Sequence, residues 1–206
     1  MLTQKIQAQI LQLPNPGYMV VDLPADIMQE INLKVDHVIA NPDQYPPKNP
    51  DLAGHIKQEY GLDLPSTVTD NIVECCRTYC QRVFGDTRTP RLEDLWINLQ
   101  RRTEYNPIHN HDGHISFVIW VRIPYDLEAE RQVCRDSRSK SASMFGFVYS
   151  DVFGKLDAEY LAIDKSWEGR MAIFPANLNH MVHPFYTSDG IRVSISGNLY
   201  LDDNSK

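Results

Sequence analysis

The chain lacks any run of about 18 apolar residues, the length a membrane-crossing helix needs. It also lacks an N-terminal basic region followed by an apolar core, the pattern that opens a signal peptide. From these absences we expect a cytoplasmic protein with no membrane segment. Cysteine is scarce, with 4 in 206 residues. Cys75, Cys76 and Cys80 share one helical-looking segment without a nearby histidine, and Cys134 stands apart; this is not a zinc-ligand spacing. They read as reduced thiols. Positive charge is in deficit: 20 Lys and Arg face 27 Asp and Glu, a formal net charge of -7. Contacts to phosphate need clustered cations, so a nucleic-acid partner is not expected. The one basic island, residues 131–141, reads as a solvated loop. No internal repeat or low-complexity tract occurs, and nothing in the sequence speaks to oligomeric state.

What is present is ordinary for a globular chain, 42% apolar and 23% charged. A single domain over residues 1–206 is expected, with a mainly helical part at 1–90 and a β-rich core at 91–201. "PNPG" (14–17) signals a turn before the short strand "GYMVVDL". Ile27, Ile31, Val35 and Val38 recur at helical spacing after Pro24, which predicts a helix over 25–41. Prolines in "NPDQYPPKNP" then exclude regular structure. "STVTDNIVECCRTYCQRVFGD" predicts a second helix, capped by Ser66 or Thr67 and ended by Gly85. Beyond it, β-type runs fall at 94–101, 114–124, 143–150, 159–163, 170–175, 180–185 and 192–201. This order suits an all-β core with N-terminal helices: a cupin-like jelly roll, or double-stranded β-helix, packed against two or more α-helices. Residues 126–142 are expected to form a structureless loop.

Histidine is concentrated. Five of the 7 lie in two segments, His109, His111 and His114, then His180 and His183. Alternate residues of a strand share a face, so His109 and His111 project together. His180 and His183 differ by three and take opposite faces, so one of them can join a site. In "RVSISGN", Arg192, Ser194, Ser196 and Asn198 share one face opposite Val193, Ile195 and Gly197. A sandwich would expose the polar face; a barrel with a polar interior would aim it into a cavity. An arginine so placed downstream of a metal ligand can hold a carboxylate through two parallel hydrogen bonds.

The set "YNPIHNH" (105–111), "SFVIWVRIP" (116–124), "MAIFPANLNHMVHPF" (171–185) and "GIRVSISGNL" (190–199) resembles the Fe(II)/2-oxoglutarate-dependent dioxygenase superfamily. Its prolyl-hydroxylase-like branch, and a group of phage and bacterial members within it, is the most similar. The resemblance spans roughly the C-terminal half of the chain. It implies Fe(II) and 2-oxoglutarate as cofactors, and O2 and an unidentified peptide, protein or small molecule as partners. It also implies hydroxylation of a C–H bond with release of succinate and CO2. By the same resemblance Arg192, with Ser194 as a hydroxyl partner, would clamp the distal carboxylate of 2-oxoglutarate. Tyr105 either lines that pocket or packs, and Asn98, like Trp120, is a candidate to point inward.

The family's usual H-x-D is missing. Two residues after His109 stands His111, and two after His111 stands Gly113. Three readings stay open. His109, His111 and His180 form a three-histidine face, with Asp112 as an acceptor behind it. Alternatively Asp112 is itself the carboxylate ligand, reached by a kink in the strand. In the third, His111 and His180 bind the metal and Gly113 leaves room for halide, which would make a halogenase. His114 reads as a polar strand-start residue, and His183 as a substrate-side or surface residue. Two rival functions also stand: a three-histidine cupin-like metalloenzyme that uses no 2-oxoglutarate, and an inactive jelly-roll binding module. Segments 126–142 and 42–50 are expected as substrate lids.

Overall fold

The computed structural model describes residues 16–201. Ten strands and three α-helices follow in chain order: β1 (Met19–Asp22), α1 (Ala25–Ala40), β2 (Glu59–Gly61), α2 (Ser66–Phe84), β3 (Arg91–Gln100), β4 (Asn106–His109), β5 (Ile115–Arg122), α3 (Leu127–Val133), β6 (Phe145–Ser150), β7 (Leu156–Leu161), β8 (Arg170–Pro175), β9 (Asn179–Val182) and β10 (Arg192–Tyr200). They build two antiparallel sheets, one of order β1-β8-β5-β10-β3-β2 and one of order β4-β9-β6-β7. This is the expected jelly roll with N-terminal helices.

The two faces of the larger sheet bury different partners. Ile27, Ile31, Val35 and Val38 of α1 pack with Val68, Ile72 and Cys76 of α2 on Phe117, Ile119, Val193 and Ile195. Each such side chain contributes roughly 1.5–3 kcal/mol by leaving water. The opposite face of β5 sends Val118 and Trp120 against Phe145, Phe147 and Phe174, in a second core between the sheets. With Val193 and Ile195 committed to the helices, strand alternation turns Ser194 and Ser196 toward the smaller sheet, where both line a cavity. The polar face of β10 is thus an interior face.

Gly197 permits this packing: a Cβ there would stand 2.5 Å from the Asp94 carbonyl oxygen and 2.7 Å from the Phe117 ring. Gly85 ends α2 in the left-handed conformation, at φ 67°.

Several expectations are corrected. Residue 65, a proline, precedes α2, and no side chain caps that helix end. Residues 126–142 are not structureless: Asp126 caps α3 through the Ala129 N–H at 2.9 Å. Buried Glu130 of α3 accepts from the Tyr186 and Thr187 amides at 2.9 and 2.7 Å, which ties the segment to that turn. Segment 42–50 holds two short 3-10 turns, Pro42–Gln44 and Asn49–Asp51. Strand β4 ends at His109, short of His111. Of the turn signal "PNPG", Pro14 and Asn15 lie outside the described residues.

Candidate metal centre

The three histidines come from two strands and the loop that follows one of them. His109 on β4 and His180 on β9 are direct cross-strand partners, with ring centroids 4.2 Å apart. His111 lies beyond the strand, yet its backbone N–H donates to the Ala176 carbonyl at 2.9 Å, which ties this loop to the β8–β9 connection. Its ring centroid is 5.0 Å from each of the other two. One ligand atom from each ring lies within 4.8 Å of the others.

The hydrogen bonds fix which nitrogens face inward. Nδ1 of His109 lies 2.7 Å from the Pro107 carbonyl and Nδ1 of His180 lies 2.9 Å from the Leu178 carbonyl. A carbonyl only accepts, so each Nδ1 carries the proton and each Nε2 keeps its lone pair for a metal. Burial pushes all three pKa values down: His109 below its ordinary value, His111 to about 4 and His180 well below 6.5. The neighbouring histidines add to the depression at His111 and His180. All three rings are therefore neutral at pH 7, the state in which imidazole binds Fe(II). The donor set fits a divalent transition metal held on one face.

Asp112 is exposed and is not brought to the three rings. Gly113 holds a turn at φ 105°, and a Cβ there would stand 3.1 Å from the Leu199 carbonyl. His114 is exposed, and its Nδ1 accepts from the Leu201 amide at 3.2 Å. His183 is half-buried; its carbonyl accepts from Arg192 and its Nε2 has no hydrogen-bond partner. Tyr105 stacks on His55 with centroids 4.7 Å apart and lines an outer recess with His183, away from the rings.

The rings open onto a cavity of about 40 Å³. Asn98, Gln100, Ser194 and Ser196 line its larger-sheet side, and Leu52, Ala53 and Ile56 cover it from the segment before β2. Asn98 donates to the Ser194 hydroxyl at 3.3 Å. Directly opposite Asn98 on the edge strand stands Glu59, fully buried, with its carboxyl pushed up to about 7 by burial and then by Glu104.

Arg192 is buried at the far end of the same strand face. Nε and Nη2 donate to the Gln100 Oε1 at 2.9 and 2.6 Å, and Nη1 donates to the Tyr125 hydroxyl at 3.1 Å. The Ser143 and His183 carbonyls accept at 2.8 and 2.9 Å. No carboxylate pairs with Arg192 among the described residues. Gln100, Tyr125 and Trp96, whose ring is 5.3 Å from His111, escaped sequence reasoning. The first could have been found by strand alternation, since Gln100, Asn98 and Trp96 share a face.

A larger groove of about 770 Å³ lies beside the same loops, lined by Gly113, His114 and Leu178 with Tyr18, Phe147 and Tyr149.

Fold and site together define a jelly roll with an inward-facing histidine cluster. The family model of 2OG-Fe(II) oxygenases matches residues 94–198, a segment holding all three histidines and Arg192, and the chain belongs to this family. Enzymes of this family use Fe(II) and 2-oxoglutarate. Among solved structures, a prolyl-4-hydroxylase of Pseudomonas putida is 15% identical with a TM-score of 0.58, covering 91% of this chain and 94% of its own. A Trichoplax adhaerens prolyl hydroxylase, in complex with a hypoxia inducible factor oxygen degradation domain peptide fragment, is 10% identical with a TM-score of 0.58, over 90% of this chain and 84% of its own. The viral collagen prolyl hydroxylase of Paramecium Bursaria Chlorella virus-1, in a 2-oxoglutarate complex, is 11% identical with a TM-score of 0.52, over 88% and 94%. At these identities the likeness is one of fold. No curated protein matches the chain by sequence. No helix among the described residues is long and apolar enough to cross a membrane.

Proposed function

We propose that the chain, acting as one domain, is an Fe(II)- and 2-oxoglutarate-dependent hydroxylase whose metal is held by His109, His111 and His180. The observation that carries this reading is the convergence of three neutral imidazoles, two of them with the Nδ1 proton parked on a carbonyl. With both cofactors bound, such a site supplies the oxidising power to insert oxygen from O2 into a C–H bond, releasing succinate and CO2.

The chain's own residues supply geometry. Pro107 and Leu178 carbonyls orient the rings of His109 and His180. Phe145 stacks on His180 at 5.7 Å, and Phe174 meets it edge-on at 4.9 Å, so apolar side chains exclude water behind the ligands. Arg192 offers the distal carboxylate of 2-oxoglutarate the one buried cation on this strand face, with Ser194 and Asn98 beside it. The substrate on this reading is a peptide, protein or small molecule. The acidic balance of the chain disfavours nucleic acid. Four free thiols fit a reducing cytoplasm.

The test is succinate release from 2-oxoglutarate by the purified chain. It should require Fe(II) and O2 and be lost in Arg192→Ala. Metal-dependent activity that survives Arg192→Ala would sink the 2-oxoglutarate reading.

A further inference from the structure

Arg192 is a buried cation whose five bonds all end on neutral acceptors. Burying a charge without a counter-ion is costly, and neutral acceptors offset that cost only in part. Two of the five bonds converge, from Nε and Nη2, on one oxygen, Gln100 Oε1. That pair of N–H groups is the edge of the guanidinium that a carboxylate takes in a two-bond clamp. Gln100 also lines the histidine cavity, whereas Arg192 does not reach its wall. The side chain of Gln100 thus stands between the cavity and the cation. The cavity is small as well: about 40 Å³ is space for a water or two, not for a keto dicarboxylate.

We infer that Gln100 is a displaceable plug: its amide oxygen holds the Arg192 edge in the free protein and yields it to the distal carboxylate of the entering cofactor. This inference rests on the 2-oxoglutarate reading above. A carboxylate brings a full opposite charge and two acceptor oxygens to the guanidinium edge where the amide offers one neutral oxygen, so the exchange favours the cofactor. The same rotation that exposes Arg192 enlarges the cavity by removing part of its lining. Gln100 gives up one further bond on leaving, from its Nε2 to the Glu104 carbonyl at 2.5 Å. Glu104 sits in the loop after β3, where its carboxylate already receives the Arg101 amide at 2.9 Å.

The experiment measures 2-oxoglutarate binding to the full chain loaded with Mn(II), by titration calorimetry, with thermal unfolding as a second readout. Gln100→Glu should stay folded, because the ion pair its carboxylate makes with Arg192 offsets the lost Nε2 bond to the Glu104 carbonyl. It should bind 2-oxoglutarate roughly tenfold more weakly or worse, the scale of one lost charge-assisted hydrogen bond. Gln100→Ala should melt lower when ligand-free, bind 2-oxoglutarate at least as tightly as wild type, and gain a larger thermal shift from it. Wild-type affinity in Gln100→Glu would overturn the plug, as would a loss in Gln100→Ala equal to that in Arg192→Ala. If Arg192→Ala loses binding and Gln100→Glu keeps it, the plug alone falls. If wild type does not bind 2-oxoglutarate, or Arg192→Ala binds it normally, the cofactor reading falls too and takes the plug with it.

Discussion

His109 and His180 face each other across the β4–β9 ladder, rings 4.2 Å apart, each with its Nδ1 on a backbone carbonyl two residues upstream. The shared arrangement means that the backbone, not a further side chain, sets both tautomers. A carbonyl cannot be mutated away, so this part of the site tolerates change in its surroundings. The third position has no such support on the ring, and it is where the chain departs from the H-x-D pattern.

The first prediction separates the candidates for that position. His111→Ala should lower iron bound after anaerobic reconstitution to well below one per chain, while Asp112→Asn should leave it at the wild-type level. Metal analysis of the two purified variants decides it. Loss of metal in Asp112→Asn with retention in His111→Ala would reverse the assignment.

Acid should weaken the metal-free protein through these same histidines. The folded pKa of His111 is about 4 against an ordinary 6.5, so below pH 6.5 the unfolded chain takes up a proton that the folded chain refuses. Stability therefore falls as pH drops from 6.5 toward 4 and levels off below. The loss from His111 alone is on the order of 3 kcal/mol, from about 1.4 kcal/mol per pKa unit. Urea midpoints of the apo protein at several pH values check the slope, and His111→Ala should flatten part of it.

Much of this architecture was legible because apolar periodicity is a local signal. The spacing of Ile27, Ile31, Val35 and Val38 located α1, and the β-type runs located the strands of the second half except β4, the short strand that carries His109. Where packing is not apolar, the sequence was silent. Strand β2 buries Glu59, which no hydrophobic pattern marks. Helix α3 is mostly polar and is held by Glu130 on the 186–187 amides, a contact 56 residues distant in sequence. In the site, histidine spacing brought forward His109, His111 and His180 because ligand side chains are chemically rare. Gln100 and Tyr125 are common residue types whose part depends on Arg192, so only the fold reveals them.

Gly197→Ala tests the close approach of β10 to its neighbours. A methyl group there would meet the Asp94 carbonyl and the Phe117 ring inside van der Waals contact. Overpacking of this kind typically costs about 1–3 kcal/mol. Urea denaturation should show that loss, and a neutral substitution would mean the sheet relaxes freely at this rung.

Glu59 supplies a pH dependence of the opposite sign. Its carboxyl is held protonated up to about 7, chiefly by burial, against an ordinary 4.5. Above pH 4.5 the unfolded chain gives up this proton while the folded chain keeps it, so stability falls as pH rises from 4.5 to 7. Above 7 the folded chain carries a buried charge and the full penalty, roughly 3 kcal/mol, is in place. The Oε1 oxygen has no hydrogen-bond partner, and Oε2 has only the Asn49 amide at 3.4 Å, so little in the structure compensates an anion there. Glu59→Gln keeps the shape and removes the titration. It should match wild type near pH 4.5 and exceed it in urea midpoint at pH 8. Equal midpoints at both pH values would show that Glu59 ionises in the folded chain as freely as in the unfolded one.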